Sequence, residues 1–203
     1  VQGAIALDQL TVNLANNVDF DAAVTITGAL TQTTGTGTTT FDAAVSAGGV
    51  SVRNTTGVSF ASTLTATGGN NIELASDSID FAANVIGTGS VAMTDFDGDA
   101  DIGVDGGLGT LEISNSELGF LQEGFSEIIF GGPTFGGAGI ATINIGPNGY
   151  TYTDGVHFNA GTPGATTGHV NAANNVNSTG GATSTVTMSA GATSSIDLSA
   201  NIT

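Results

Sequence analysis

The 203-residue chain has no cysteine, which excludes a disulfide framework, thiolate metal sites and cysteine nucleophiles. It has no lysine and one arginine, Arg53, against 18 acidic residues, for a formal net charge of −17. A phosphate-binding surface needs several basic side chains to displace counterions, so no nucleic-acid partner is expected and anionic membranes are disfavoured. The 3 prolines and the 32 glycines, which follow no period of three, remove collagen and polyproline architectures. No apolar run approaches the roughly 18 residues of a spanning helix, so no membrane insertion is expected. The chain opens on Val1 without a basic leader and reads as a mature fragment, or as one whose targeting signal lay upstream.

What is present is a repeat. Phe20-Asp21-Ala22-Ala23-Val24 recurs as Phe41-Asp42-Ala43-Ala44-Val45, with weaker copies at Phe60 and Phe81, so the phenylalanine spacings are 21, 19 and 21. Within a copy the pattern has period two. Val18, Phe20, Ala22, Val24 and Ile26 fall on one face, and Asp19, Asp21, Ala23, Thr25 and Thr27 on the other. Gly, Asn and Thr turns punctuate these short strands, and helix-forming runs are missing. A fixed repeat of short strands favours a β-solenoid over a sandwich or closed barrel. The fold expected is therefore all-β, a single solenoid over 1–203 with about 20 residues per coil. Phe20, Phe41, Phe60 and Phe81 should stack inside it.

Regular coils are expected over 1–94, an Asp-rich loop and short helix over 95–130, and less regular coils over 131–203. The helical insertion is placed near 114–123. Ser114 and Glu117 form a capping box, Leu118 and Leu121 share a face, and Gly124 sits where a left-handed C-terminal cap belongs, with Phe125 closing its apolar contact. Arg53 falls in an expected turn that includes Asn54-Thr55-Thr56-Gly57.

The run Leu111, Ile113, Ser114, Glu117, Leu118, Leu121, Gly124, Phe125, Ile128, Phe130 and Gly131 resembles a segment of very large bacterial exoproteins of the filamentous-haemagglutinin-like, β-strand-repeat type. The resemblance covers about residues 107 to 158, and the flanking coils look like the repeats of the same proteins. It implies a right-handed parallel β-helix, located extracellularly or on the bacterial cell surface, serving adhesion or filament formation. These 203 residues include neither the secretion domain nor the length usual in those proteins, so a fragment or one module of a longer chain is expected.

Asp95, Asp97, Asp99 and Asp101, with Asp105 nearby, form the sharpest constellation. In an extended strand the alternate carboxylates would point one way and favour a hard cation, calcium. The run departs from an EF-hand frame, which puts Ala100 where glycine is required. Asp19, Asp21, Asp42, Asp77 and Asp80 are candidates for stacking across coils into the carboxylate pair of a glycosidase. Outward aspartates also keep a solenoid soluble and block sideways pairing. His157 and His169 have no metal-pair spacing and read as surface histidines, and no Ser-His-Asp pattern is visible. The threonine pairs 25/27, 65/67 and 151/153 make too broken an array for an ice-binding face.

The function expected is a non-enzymatic, extracellular structural or adhesive module, a homo-oligomer or a filament built head to tail, with surface glycans as possible ligands and calcium as the one cofactor considered. The alternative is a carbohydrate-binding or carbohydrate-cleaving β-helix, a glycoside hydrolase or lyase.

Overall fold

A computed structural model describes residues 2–96, 101–132, 142–160, 168–179, 185–190 and 196–198. They form short strands and one short helix, and every strand pair among them is parallel. This all-β, parallel architecture is compatible with the expected solenoid. No helix among the described residues is long and apolar enough to cross a membrane.

Parallel neighbours cannot be joined by a hairpin, so the chain must travel around before it pairs again. Through residue 94 that circuit is nearly constant. Val24 pairs with Val45, Phe41 with Phe60, Leu64 with Val85, and Ile72 with Val91. Beyond residue 94 the circuit lengthens: Val91 pairs with Ile128, Ile128 with Val156, and Val156 with Val186.

This register brings like residues together. Leu10, Leu30, Val50, Ile72, Val91, Ile128, Val156 and Val186 make one inward ladder across the main sheet. Its six inner members are buried and its two end members half-buried. On the sheet of Val18–Phe20, Thr38–Phe41, Gly57–Phe60 and Ile79–Phe81 the four phenylalanines stack as expected. Ring centroids are 4.8, 4.8 and 5.8 Å apart with interplanar angles of 4°, 0° and 22°. The first two spacings equal the strand spacing, so backbone pairing and ring stacking reinforce each other. One polar pair sits among these ladders: buried Thr39 donates its hydroxyl to Oε1 of buried Gln32 at 2.7 Å.

The period-two reading needs one refinement. Residues 21–23 form no strand, so Val18–Phe20 and Val24–Gln32 are separate strands belonging to different sheets, and the chain turns a corner at Asp21. The expected turn after Val52 is also displaced. Strand Val45–Thr55 carries Arg53, because Ile72–Ser76 continues to pair with it, Thr55 meeting Ser76 after a register shift.

The Asp- and Gly-rich segment builds an extra strand rather than a plain loop. Ile102–Val104 lies between Leu111–Ile113 and Thr142–Ile145, and the chain returns from Val104 to a parallel neighbour through residues 105–110 alone. Parallel connections ordinarily take a dozen residues or more. Glycine makes the short return possible: a Cβ on Gly103 would stand 2.1 Å from the Gly107 carbonyl oxygen, and one on Gly107 would stand 1.8 Å from that of Asn144. At the turn Asp105 takes a φ of 56°, a left-handed conformation that aspartate tolerates better than most residues.

The helix is shorter than expected. It spans Asn115–Leu118, with both capping-box bonds present: Glu117 N–H donates to Ser114 Oγ at 3.3 Å, and Ser114 N–H donates to Glu117 Oε2 at 2.6 Å. It ends at Gly119, whose φ of −65° is right-handed, so Gly124 is not its cap. Leu121, buried like Leu118, is drawn into a parallel bridge with Val85, and strand pairing stops the helix from propagating. Gly124 instead occupies its own turn at φ 129°, and the Phe125 ring beyond it packs on Gly87.

Candidate functional site

Of the aspartate constellation, the structure describes Asp95, Asp101 and Asp105. Asp97 and Asp99 lie outside the described residues. Asp95 is buried just after strand Ser90–Thr94, and Asp101 is half-buried just before Ile102–Val104. Asp105 is buried and bonded throughout. Its Oδ1 accepts from Asn115 Nδ2 at 2.9 Å and its Oδ2 from Tyr150 N–H at 2.8 Å, while its carbonyl accepts from Asn148 Nδ2 at 2.9 Å. This carboxylate ties the extra strand to the helix and to the next circuit.

Two phenols lie beside it. Tyr150 donates its hydroxyl to the Leu118 carbonyl at 2.8 Å. Burial, with the charge of Asp105 adding to it, pushes its pKa above the usual tyrosine value. Tyr152 is fully buried and shifted further in the same direction, first by burial and then by Asp105 and Tyr150. Its hydroxyl meets no hydrogen-bond partner among the described residues. A second buried carboxylate, Asp154, accepts from Gly124 N–H at 3.1 Å and from Phe125 N–H at 3.1 Å, holding the positive-φ turn.

Among the described residues, one group of three potential metal ligands converges. Asp19, Asp21 and Asp42 bring carboxylate oxygens within 4.8 Å of one another, and all three are exposed. Asp21 and Asp42 follow stacked phenylalanines, and the next circuits place Ala61 and Ala82 there, which ends the column of like charge. The cluster lacks the burial that separates acid from base in a two-carboxylate hydrolase. Asp80 stands apart from this group, accepting from Ser59 Oγ at 3.4 Å. Arg53 pairs across the sheet with Glu73. On the threonine face, Ala6, Thr25, Ser46, Thr65 and Ile86 follow one another in register, so only three hydroxyls stand in that row.

Two further features lie toward the C-terminal part. A groove of about 500 Å³ is lined by Leu108, Asn144, Pro147, Asn171 and Asp197, among others. Asn171 Nδ2 donates to Asn144 Oδ1 at 3.0 Å, and Asn144 Nδ2 to the Leu108 carbonyl at 2.8 Å. On the main sheet His157 Nε2 lies 2.9 Å from Ser189 Oγ, and its Nδ1 lies 3.7 Å from Glu127 Oε1. Both histidines sit on strands and are half-buried, His157 in Val156–Asn159 and His169 in His169–Ala172.

Comparison of the chain with protein-family models, with curated proteins and with solved structures found no match. Of the residues that pattern reading missed, Glu127 and Ser189 meet His157 through register between strands far apart in sequence, Asp154 reaches back to the turn at Gly124, and Gln32 meets Thr39 between two different sheets.

Proposed function

We propose that the chain is a right-handed parallel β-solenoid serving as a structural or adhesive module of an extracellular or bacterial cell-surface protein. The observation that carries this reading is the inward ladder from Leu10 to Val186, in which eight strands stack in register. In such a stack each strand satisfies the backbone groups of its neighbours, so stiffness comes from continuous pairing. Exposed Asp8, Asp19, Asp21, Asp42 and Asp80 keep the outer faces soluble and oppose sideways sheet association. Growth then occurs along the stack axis, where edge strands accept further strands of the same polypeptide or of another copy.

Electron microscopy with light scattering tests this reading. Rods that lengthen with protein concentration are expected. Compact particles of fixed size at all concentrations and salt levels would contradict assembly, and a rod-less shape would contradict the solenoid itself.

Carbohydrate binding is a second reading, favoured by the groove beside Asn144, Asn171 and Asp197. Amide and carboxylate groups repeated along a sheet suit the hydroxyls of a sugar chain, and Leu108 and Pro147 supply apolar contact. A panel of neutral and anionic glycans, read by retention on the immobilised protein and by reducing-end release, separates binding from cleavage.

A further inference from the structure

We infer that Ser189, His157 and Glu127 form a nucleophile, base and positioning-acid triad able to hydrolyse carboxylic esters of short acyl chains. This departs from the non-enzymatic expectation and holds independently of whether the chain forms rods. The three residues come from consecutive strands of the main sheet, Glu127–Gly131, Val156–Asn159 and Val186–Ser189. Ile129 pairs with His157 and His157 with Thr187, so the imidazole reaches diagonally in both directions, back to Glu127 and forward to Ser189.

The contacts have the polarity that nucleophile activation requires. A proton on Nδ1, facing Glu127 at 3.7 Å, leaves Nε2 as the acceptor for the Ser189 hydroxyl at 2.9 Å. A nucleophile within hydrogen-bond reach of a base, itself oriented by a third group, is the arrangement recognised by geometry rather than by sequence order. Partial exposure of the imidazole, 21%, and of the Glu127 side chain, 36%, leaves the site open to a substrate.

The surroundings supply the remaining parts. Asn159 stands in register with Ser189, and period two puts it on the same outward face, where its amide can donate to the oxygen of a tetrahedral intermediate. Gly131 is the register neighbour of Asn159 and adds no side chain there. Half-buried Ile129, beside His157, offers a small apolar surface suited to a short acyl group.

The reaction balances with water as the co-reactant. Ser189 Oγ attacks the ester carbonyl as its proton passes to His157 Nε2. The intermediate collapses, breaking the bond to the alkoxy oxygen, which leaves as the alcohol with the proton from His157. Water then attacks the acyl-serine, giving its proton to His157, and the acid departs as that proton returns to Ser189.

The test uses the unmodified chain with a fluorophosphonate probe and p-nitrophenyl acetate. Covalent labelling on Ser189, located by peptide mass spectrometry, is expected together with turnover. Ser189→Ala should abolish labelling, and both it and His157→Ala should lower kcat/KM about a hundredfold or more, with no further loss in the double variant. Asn159→Ala should lower kcat by about a hundredfold with KM retained. Glu127→Gln should keep Ser189 in place but displace the pH profile of kcat/KM, which a merely structural role would not do. Far-UV circular dichroism matching the parent establishes that the variants fold. A wild-type chain that is neither labelled nor active, or turnover that survives in folded Ser189→Ala, overturns the assignment.

Discussion

Phe41 is held from both sides, its ring 4.8 Å from Phe20 and 4.8 Å from Phe60, whereas Phe20 is stacked in the ladder on Phe41 alone. Truncation of a buried phenylalanine costs about 3–5 kcal/mol. Phe41→Ala should fall in that range, and Phe20→Ala should cost about 1 kcal/mol less, the worth of one aromatic pair. Urea unfolding of the two variants measures the difference. The tyrosines provide a second residue-scale test, because Tyr150 and Tyr152 are the only two in the chain. Both pKa values are raised by burial and by Asp105, so the folded state holds their protons more tightly than the unfolded state does. The associated stability is fully present below about pH 10 and is lost as pH rises through the folded values. Phenolate absorbance should therefore appear together with loss of the β-sheet signal, above the pH at which free tyrosine ionises. Tyr152→Phe removes a buried hydroxyl that has no partner among the described residues, and is expected to be neutral or to stabilise by up to about 1 kcal/mol.

At the scale of elements, the extra strand Ile102–Val104 depends on backbone meeting backbone. Gly107→Ala places a Cβ against the Asn144 carbonyl, where no flexible side chain can give way. A cost of about 1–3 kcal/mol is expected, with faster hydrogen exchange concentrated in Ile102–Val104 and Thr142–Ile145. Exchange rates unchanged from the parent would contradict the tight return. The repeat up to residue 94 was legible in the sequence because near-identical pentapeptides mark corresponding positions, and the capping box was legible because its two bonds join residues three apart. The helix end was not, since a distant partner, Val85, captures Leu121 before Gly124 is reached. The partners of Asp105 were not legible for a similar reason. Period two describes an isolated strand, but Asp105 turns into a left-handed conformation and is consumed by Asn115 and Tyr150. Beyond residue 94 the circuits lengthen and lose internal similarity, so the meeting of Glu127, His157 and Ser189 followed from register that no repeat announced.

Across the whole molecule, distance along the structure counts strands crossed rather than residues elapsed. Thr11, Thr31, Ser51, Glu73, Ala92, Ile129, His157 and Thr187 occupy successive strands in register on the outward side of the main sheet. The absence of cysteine means that paired substitutions such as Thr31→Cys with Thr187→Cys, or Thr11→Cys with Thr187→Cys, carry two spin labels and no others. Six strand steps separate the first pair and seven the second, which at about 4.8 Å per step gives backbone separations of about 29 Å and 34 Å. Pulsed electron resonance measures both. Narrow distributions that differ by about one strand spacing, at these lengths, are the expected result. Broad distributions, or equal and much shorter distances for the two pairs, would contradict a stack of parallel strands in register.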